Sequence, residues 1–443
     1  MLVLLIQPEY KDSWAAPPLG LGYLAGSLQK AGEEVAFIDL TLTPMTDDNF
    51  KEFITDTKPD LIGISLMVRA LPEVRKLITL INEVSDVPVV IGGPQVTIEP
   101  EFTLSYTRAD YAVAGEGEQS MIELIKKANG RLIIKNRLIE NLDDLPFPAW
   151  ELMPPLRYKM NPVMTPIKRT PIAPIITTRG CPYSCSFCGG PLVWGKTFRK
   201  RSAKNIVDEI ELLRDKFGVR EVFISDDNFT LSKQHAMNFC NEMIARKIDM
   251  PWACPNGIRV DTADDELLER MHQAGCYLVG FGIESGNQKI LDRAHKHLDL
   301  KRVKGVVDSA RKNKMMTYGF FIMGLPGETK VTIRETIDFA KKLKLDRAFW
   351  NILIPFPGTE IFKEYSKKKP DVDWANIDSA TGMIAEGIDY EDLTGEDLVY
   401  WQRKALREFY LRPRLLLSVL SHMRLGSIKT LMNLSFFKRM VKC

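Results

Sequence analysis

Three cysteines close together in the sequence are the residues best suited to redox chemistry. Cys181, Cys185 and Cys188 follow the spacing C-x3-C-x2-C. Three thiolates on one short loop can hold three irons of a cubane cluster and leave the fourth iron open to a substrate, like the open position of catalytic zinc sites. A closed site needs a fourth nearby ligand, but neither Cys nor His occurs between Cys188 and His235. The spacing predicts one [4Fe–4S] cluster; a chance group of buried thiols or a zinc loop is the alternative.

The segments around these cysteines resemble a known cofactor motif. Ile175–Thr178 is rich in β-branched residues and precedes Gly180, which predicts a strand that ends in a glycine turn. An aromatic residue, Phe187, directly precedes the third cysteine, and Gly189 and Gly190 follow it. The run resembles the cluster motif of radical S-adenosylmethionine (SAM) enzymes. That resemblance implies that SAM binds the open iron and that Phe187 and Gly190 belong to the SAM site.

The composition is that of a soluble globular protein. A chain of 443 residues predicts two or three domains of about 150 residues each. The net charge of +3 gives no reason to expect nucleic-acid binding. The amino terminus lacks the basic region of a signal peptide, and no apolar run reaches the ~18 residues of a membrane-spanning helix. An odd number of cysteines, with three in one cluster, favours a reducing cytoplasm over a disulfide framework.

The first 140 residues alternate between short apolar runs and segments of helical period. Continuous runs of Val, Ile and Leu predict buried parallel strands, here Leu2–Ile6, Val35–Asp39, Leu61–Ser65, Val89–Gly92 and Tyr111–Ala114. The intervening segments predict helices over Leu19–Ala31, Pro72–Val84 and Ser120–Ala128. Five strands with helical crossovers predict a flavodoxin-like (Rossmann-like) α/β domain, which binds its ligand beyond the carboxyl ends of its strands.

Small residues follow the last three of these strands. Glycines in such positions let a bulky group approach the backbone closely. The arrangement resembles the cobalamin (B12)-binding domain found ahead of many radical SAM enzymes, and the resemblance implies a cobalamin site made of Ser65, Leu66, Gly92, Gly93, Gly115, Glu116 and Gly117. No histidine precedes His235, so we expect base-off cobalamin without a histidine ligand from this domain. A degenerate Rossmann-like domain that binds nothing is the alternative.

A proline-rich segment separates this region from a second alternation of strands and helices. Proline interrupts helices and central strands, and the predicted divisions are 1–142, a linker over 143–170, a barrel over 171–370 and a mainly helical region over 371–443. The predicted barrel strands are Ile175–Thr178, Val222–Ser225, Trp252–Asn256, Tyr277–Gly282, Thr317–Ile322 and Ala348–Leu353. The predicted helices are Ile206–Phe217, Ala236–Arg246, Asp265–Ala274, Leu300–Asn313 and Val331–Leu343. Six strands with crossovers predict a partial (β/α)6 TIM-type barrel whose chemistry lies at the carboxyl strand ends.

Polar residues and glycines follow four successive strands of this predicted barrel. Carboxylates there can accept hydrogen bonds from the ammonium group and the ribose hydroxyls of SAM. The segments resemble the SAM-binding motifs of radical SAM enzymes, in which Arg259 is placed to contact the SAM carboxylate. The resemblance implies that the further SAM-binding residues are Asp226, Asp227, Arg259, Glu284, Ser285 and Gly324. Taken singly, each is better explained as a helix cap or a turn, but four of them in order at four successive strand ends are hard to explain in that way.

The remaining cysteines and histidines show no ligand spacing. A second cluster is not predicted, and the first three of the other cysteines are expected to be buried, unreactive thiols: Cys240, Cys254, Cys276 and Cys443. His295 and His297 are close together beside Lys296, which predicts a solvated basic face.

The carboxyl-terminal residues 409–443 differ from the rest of the chain. They contain seven Lys or Arg residues, no Asp or Glu, and apolar runs such as Leu415–Leu417. A basic amphipathic stretch is typical of a helix on a membrane surface. The alternative is a helix packed on the barrel with a solvated basic face.

Together these features resemble a cobalamin-binding radical SAM enzyme over residues 1 to about 360. The family chemistry implied is cleavage of SAM to a 5′-deoxyadenosyl radical by the reduced cluster, hydrogen abstraction from an unactivated carbon, and methyl delivery from methylcobalamin. We therefore expect C-methylation of a hydrophobic small molecule, such as a lipid, an isoprenoid or a tetrapyrrole-like compound. A flavodoxin or ferredoxin is the expected electron donor. No catalytic acid or base can be named.

Two other functions stay open. Radical cyclisation, ring contraction or oxidative ring formation without methyl transfer would use the same motifs. A cobalamin or iron–sulfur sensor is a more distant alternative. A methylthiotransferase is disfavoured because such enzymes need cysteines in the amino-terminal domain, and none precedes Cys181. A tail that binds membrane would place the protein at the inner face of the membrane.

Overall fold

The computed structural model describes residues 1–10, 16–126, 133–135, 138–158, 166–368 and 392–412. The first large sheet of this described part contains β1 (Leu2–Gln7), β2 (Glu34–Asp39), β3 (Leu61–Ser65), β4 (Val89–Gly92), β5 (Tyr111–Ala114) and β6 (Ile133–Lys135). The helices that follow these strands are α1 (Leu19–Lys30), α2 (Asp47–Thr57), α3 (Leu71–Asn82), α4 (Pro94–Ile98), α5 (Pro100–Thr107) and α6 (Gly117–Lys126). Short 3-10 turns occupy Val68–Ala70, Leu142–Asp144 and Pro155–Arg157.

The strands of the first sheet run parallel in the order β2-β1-β3-β4-β5-β6. The first five follow the flavodoxin-like order, in which the ligand binds where the strand order reverses. The five predicted strands are confirmed. The sixth, at the edge of the sheet, was not predicted because it is only three residues long and half exposed.

The second large sheet belongs to the rest of the chain. In chain order, this part contains β7 (Ile172–Ile175), β8 (Thr178–Arg179), β9 (Arg199–Lys200), β10 (Glu221–Ile224), β11 (Trp252–Ile258), β12 (Cys276–Glu284), β13 (Met316–Met323) and β14 (Arg347–Ile352). Its helices are α7 (Gly190–Trp194), α8 (Ala203–Phe217), α9 (Lys233–Ala245), α10 (Asp265–Gln273), α11 (Gln288–Arg293), α12 (Leu300–Lys312), α13 (Lys330–Lys342), α14 (Glu360–Lys368) and α15 (Gly395–Tyr410). A 3-10 turn lies at Val260–Thr262.

The second sheet has the order β7-β10-β11-β12-β13-β14, and each strand is parallel to its neighbours. Sequential parallel strands with helical crossovers form the wall of a (β/α) barrel. In the described residues β7 and β14 are edge strands, so the barrel is partial, and the predicted fold class is confirmed. The first strand lies three residues earlier than predicted. Thr177 and Thr178 leave the sheet because their hydroxyl groups bind Asp226.

The helices of the barrel cover its outer face. α8 and α9 begin at Ser202 and Ser232, whose hydroxyls accept hydrogen bonds from backbone N–H groups of the first turn. Under α9, the rings of Phe229, Phe239 and Trp252 pack edge to face with centroids 5.2–5.7 Å apart. This core holds β10 and β11 in register, and the residues that follow these strands are part of the candidate site.

The proline-rich segment between the two sheets packs against both of them. The Ala149 N–H donates to the Gly22 carbonyl of α1 over 3.0 Å. The side chain of Trp150 is fully buried, and its Nε1–H donates to Glu209 Oε1 of α8 over 3.1 Å. The segment therefore ties α1 of the first sheet to α8 of the barrel.

The last described helix, α15, covers the β14 edge of the barrel. Gln402 Nε2 donates to the Trp350 carbonyl over 2.7 Å, and the Tyr410 hydroxyl donates to the Ala348 carbonyl over 3.0 Å. The basic tail predicted to bind a membrane lies almost entirely beyond residue 412, outside the described residues. Among the residues that are described, no helix is both long and apolar enough to cross a bilayer.

Candidate active site

The cluster loop (residues 180–189) leaves the barrel after β7 and is held at its base by a small hairpin. β8 enters the loop, and β9 pairs with it in antiparallel fashion. Gly180, between β8 and the first cysteine, has a φ of +90°, and a Cβ at this position would lie 2.2 Å from the Thr197 carbonyl oxygen. The turn into the loop therefore requires glycine.

The three thiols of the cluster loop are free and electrostatically close to one another. Desolvation raises the pKa of the half-buried Cys181 and, although Cys188 is an exposed residue, raises that of its thiol to about 11; the neighbouring thiol of Cys185 acts in the same direction. Because the thiolate is the metal ligand, binding a cluster must displace these protons. In the described part of the chain, no three His, Cys, Asp or Glu side chains converge as they would around one ion. The fit to a cubane cluster rests on the number, spacing and free state of the thiols.

Asp226 lies behind the cluster loop, and both oxygens of its carboxylate accept hydrogen bonds. The Thr177 N–H donates to Oδ1 over 2.6 Å, and the hydroxyls of Thr177 and Thr178 donate to Oδ2 over 2.5 and 2.8 Å. Burial raises the pKa of Asp226 to about 6, and these hydrogen bonds act against that shift. The Thr177 hydroxyl also contacts Nε2 of His235, whose pKa burial lowers to about 4. This network fixes the segment that leads into the cluster loop.

Asp227 points the other way, toward the thiols. A Cβ placed on Gly190 would lie 3.4 Å from the Cys188 sulfur and 3.5 Å from Asp227 Oδ2, so the three groups are neighbours. Desolvation raises the pKa of the Asp227 carboxyl. Asp227 therefore places a carboxylate beside the cluster loop.

Glu284, at the end of β12, forms a buried ion pair that the sequence did not predict. Lys296 Nζ lies 2.7 Å from Glu284 Oε1, and the two side chains are 10% and 9% exposed. The same ammonium lies 6.0 Å from the ring centroid of Phe187 in the cluster loop. The prediction that Lys296 lies on a solvated face is wrong, because the turn after α11 carries it inward; His295 and His297 are exposed.

Arg259 joins the cluster loop to the turn that carries Lys296. Its Nη2 donates to the carbonyls of Lys296 and His297 over 2.8 and 3.1 Å, and its Nε donates to Asp261 Oδ1 over 2.9 Å. The guanidinium carbon lies 3.6 Å from the ring centroid of Tyr183 in the loop, within cation–π range. Arg259 therefore positions the loop against the end of β12.

Two of the predicted SAM-binding residues contact α13 and the loop that precedes it. Ser285 is fully buried, and its hydroxyl lies 3.1 Å from Thr336 Oγ1 of α13. Gly324, after β13, has a φ of +91° and donates its N–H to Glu328 Oε2 over 2.6 Å. Burial raises the pKa of Glu328 to about 8. These contacts shape the loop after β13, next to the aliphatic side chain of Leu398.

A cavity of about 410 Å³ opens at the carboxyl ends of β3, β4 and β5. This volume falls within the ~300–1,000 Å³ of small-molecule sites. The cavity is lined by six of the seven residues predicted to bind cobalamin: Ser65, Gly92, Gly93, Gly115, Glu116 and Gly117. Leu66 does not line it; its side chain packs in the apolar core of the first domain. A Cβ on Gly93, which has a φ of +99°, would lie 2.9 Å from the Ser65 hydroxyl oxygen, so this turn beside the cavity requires glycine.

The barrel supplies part of the wall of this cavity. Four lining residues come from the segments on either side of the cluster loop, namely Ile176, Arg179, Val193 and Trp194. Glu116 is therefore not a free carboxylate: its oxygens accept hydrogen bonds from Arg179 Nη1 at 2.8 Å and from Arg199 Nη1 at 2.7 Å. The cluster loop and the cavity are thus adjacent. The contact between Arg179 and Glu116 was difficult to predict from the sequence, where Arg179 is recognisable only as the residue before the glycine turn.

The other described cysteines lie in the barrel core. Their burial is confirmed, and burial raises the pKa of the two thiols of Cys240 and Cys254. Cys276 is buried next to them. Cys443 lies outside the described residues.

A flavodoxin-like domain whose cavity adjoins a three-cysteine loop on a partial barrel defines a class of enzyme with cofactor sites in both domains. The model of the Radical SAM superfamily matches residues 175–340, and that of the B12 binding domain matches residues 15–125. An uncharacterized methyltransferase of Pyrococcus horikoshii is 32% identical to this chain, over 94% of both proteins. The chain therefore belongs to the cobalamin-dependent radical SAM methyltransferase family. Its cofactors are a [4Fe–4S] cluster, SAM and cobalamin.

Other similar proteins differ in the reactions that their names describe. The anaerobic magnesium-protoporphyrin IX monomethyl ester cyclase of Rubrivivax gelatinosus is 27% identical, over 93% of this chain and 79% of its own length. The cytidylyl-2-hydroxyethylphosphonate methyltransferase of Streptomyces wedmorensis is 29% identical, over 78% and 77%. Among solved structures, the radical SAM methyltransferase TsrM of Kitasatospora setae, with tryptophan and a SAM analogue bound, superposes with a TM-score of 0.69. The match covers 83% of this chain and 76% of TsrM at 23% identity, and it supports the fold.

Proposed function

We propose that this protein is a C-methyltransferase that acts on an unactivated carbon of a hydrophobic small molecule. The observation that supports this most directly is the position of Arg179, which lines the cavity of the first domain and directly precedes the cluster loop. The two cofactor sites are therefore neighbours. When bound, the cluster supplies one electron for the cleavage of SAM, and cobalamin supplies the methyl group.

The residues around the cluster loop have distinct roles in this proposal. Cys181, Cys185 and Cys188 hold the cluster as thiolates. Asp227 accepts hydrogen bonds from the amino group of SAM, and Glu284, oriented by its 2.7 Å contact with Lys296, accepts from the ribose hydroxyls. The other predicted SAM-binding residues position these groups or shape the loops around them: Phe187, Gly190, Asp226, Arg259, Ser285 and Gly324.

The cavity of the first domain holds part of cobalamin in this proposal. Ser65 and the glycine turns around it let the cofactor lie against the backbone. No histidine is among the described residues that line the cavity, which agrees with cobalamin bound without a protein imidazole. The corresponding division of the chain is a cobalamin domain over 1–142, a linker over 143–170, a radical SAM barrel over 171–370 and a helical region over 371–443.

A hydrophobic substrate is supported by the inner face of the barrel. Phe320 and Phe349 lie on the face opposite to Phe321 and Trp350, which pack on the helices. The rings of Phe320 and Phe349 are stacked with centroids 5.2 Å apart, and both are half-buried. A stacked pair of partly accessible rings suits a flat or apolar substrate. The basic tail over residues 409–443 would bring the enzyme to a membrane that holds such a substrate, and a flavodoxin or ferredoxin would supply the electron.

A radical cyclisation without methyl transfer is the second candidate. It is favoured by the similarity to the magnesium-protoporphyrin IX monomethyl ester cyclase, which extends over 93% of this chain. The residues assigned to the cluster and to SAM serve both reactions, because both begin with cleavage of SAM.

An anaerobic incubation separates the two functions. The reconstituted protein is mixed with SAM, a low-potential reductant, cobalamin and a panel of apolar small molecules, and 5′-deoxyadenosine and S-adenosylhomocysteine are measured. Methyl transfer yields both products together with a substrate heavier by one methyl group. Deoxyadenosine alone, with a substrate altered in another way, supports cyclisation. Neither product, from a protein with intact cluster and cobalamin, would contradict both functions.

A further inference from the structure

Four buried charged side chains join the cobalamin cavity to the base of the cluster loop. We call Arg179, Arg199, Glu116 and Glu118 the ion bridge. Arg179 donates from Nη1 to Glu116 Oε1 over 2.8 Å and from Nη2 to Glu118 Oε1 over 2.7 Å. Arg199 donates from Nη1 to Glu116 Oε2 over 2.7 Å. The four side chains are 1–7% exposed, so water does not compete for these contacts.

The ion bridge connects elements that carry both cofactor sites. Glu116 and Glu118 flank the first residue of α6, on the loop after β5 that lines the cavity. Arg179 and Arg199 face each other on β8 and β9, the hairpin that closes the base of the cluster loop. Any shift of the hairpin relative to the cavity must break at least one of the short contacts.

Arg179 is also held from two sides by aromatic rings. Its guanidinium carbon lies 5.1 Å from the ring centroid of Tyr23 on α1 and 5.1 Å from that of Trp194 at the end of α7. Tyr23 belongs to the first domain and Trp194 follows the cluster loop. The planar guanidinium is therefore fixed in position by two carboxylates in its plane and in tilt by two rings.

The charges of the ion bridge are balanced. Burial alone would raise the pKa of Glu116, but Arg179 and Arg199 keep it below its ordinary value. Two arginines thus face two carboxylates. Replacing a buried ion pair by apolar side chains is often neutral for stability, whereas removing one partner is costly. The ion bridge is thus better explained by the geometry that its directional hydrogen bonds impose than by stability.

We propose that Arg179 is a positioning residue that sets the separation and orientation of the iron–sulfur cluster relative to cobalamin. This inference rests on the proposed function, since it needs both cofactors in one chain. The forked guanidinium, with two parallel donor sites, is the feature that matters. A lysine at this position keeps the charge but contacts one carboxylate as a point charge, so that either Glu118 loses its cation or Glu116 keeps only Arg199.

The test measures the magnetic interaction between reduced cluster and cobalt(II) cobalamin in frozen, anaerobically reduced protein. The dipolar coupling falls with the cube of the distance, so pulsed electron paramagnetic resonance reports separation without any turnover. Iron, sulfide and cobalamin contents are determined on the same samples. Arg179→Lys is the main variant, and Glu118→Gln, which removes the negative charge of one of the two acceptors with little change in shape, is the second. Glu221→Gln is the matched control, because Glu221 is an equally buried carboxylate, bound by the Tyr277 hydroxyl and the Lys168 N–H, but lies in the barrel and does not line the cavity.

The expected result is a single narrow coupling in wild type and in Glu221→Gln, and a shifted or broadened coupling in Arg179→Lys and Glu118→Gln at unchanged cofactor contents. Loss of the cluster alone from Arg179→Lys also supports the proposal. An unchanged coupling in both bridge variants overturns it, and so does loss of cobalamin alone, which would assign Arg179 to the cavity. If Arg179→Lys loses both cofactors, the coupling and the cofactor contents of Glu118→Gln are compared with those of wild type instead, and the same outcomes support or overturn the proposal. A wild-type chain that binds no cluster or no cobalamin contradicts the proposed function itself, before any variant is made.

Discussion

Asp226 provides the sharpest test of how the cluster loop is supported, because its ionisation is coupled to folding. The carboxyl group is 3% exposed, and burial raises its pKa from 3.8 to about 6. A carboxyl with a raised folded-state pKa favours the folded state most at pH values below its unfolded pKa. That stability is lost as pH rises toward the folded pKa. The contribution of Asp226 to the free energy of unfolding therefore falls between pH 3.8 and about 6.

The size of this effect follows from the shift. Each pKa unit corresponds to about 1.4 kcal/mol, so the full shift amounts to about 3 kcal/mol. Between pH 5 and pH 7.5, where the protein can be handled, about 1 kcal/mol of this remains to be lost. Asp226→Asn removes the ionisation but keeps the shape and one acceptor for the Thr177 N–H. The free energy of unfolding of wild type minus that of Asp226→Asn should therefore fall by about 1 kcal/mol over that pH range.

The assay is urea unfolding of cluster-free protein under reducing conditions at five or six pH values. Tryptophan fluorescence follows the transition, since Trp252 is buried next to the aromatic core below Asp226. Asp56→Asn, which removes an exposed carboxylate of the first domain, controls for the loss of one negative charge. A difference between wild type and Asp226→Asn that does not change with pH would refute the reasoning, and a difference of opposite slope would show that hydrogen bonds outweigh burial.

Three further outcomes are expected from the cofactor sites and the tail. Replacing Cys181, Cys185 and Cys188 together by Ala should abolish both cluster and SAM cleavage; a full complement of iron and sulfide in that variant would contradict the assignment. Cobalt(II) cobalamin bound to the protein should show no nitrogen coupling from a protein imidazole in its paramagnetic resonance spectrum, and a histidine-on signal would place the ligand outside the first domain. Residues 409–443 should bind anionic vesicles but not neutral ones, with weaker binding as salt rises, because each basic residue near an anionic leaflet contributes ~1 kcal/mol that salt screens. A chain ending at Glu408 should not co-sediment, and equal behaviour of both chains would show that the tail packs on the barrel.

The strands and helices that carry the site could be predicted because the sheets are buried on both faces. Buried parallel strands are continuous apolar runs, and each predicted run overlaps an observed strand. The miss at β7 (Ile172–Ile175) has a local cause, because Pro174 lies within this strand and proline is disfavoured inside strands, whereas Ile175–Thr178 is β-branched throughout. Only the hydrogen bonds from Thr177 and Thr178 to Asp226 decide where the sheet ends.

The sequence could not separate the roles of Asp226 and Asp227. Both follow β10, both are carboxylates, and both fit a motif that is expected to take the amino group of SAM. Successive side chains of an extended segment point in opposite directions, so only one of the two carboxylates can face the thiols, and the other faces the segment behind the cluster loop. Which one does so depends on the register between β7 and β10, a long-range property that adjacent residues do not encode.

Lys296 and Arg179 show why the charged parts of the site were the hardest to predict. A cation among other cations in a short turn is normally solvated, because burying it is costly unless a carboxylate lies within reach. That carboxylate is 12 residues away for Lys296, and 61 and 63 residues away for Arg179. Burial of either cation thus depends on the contact between strand ends that the fold brings together. Buried ion pairs between strand ends therefore indicate which surfaces the fold holds in a fixed relative position. Here those surfaces are the cobalamin cavity and the cluster loop.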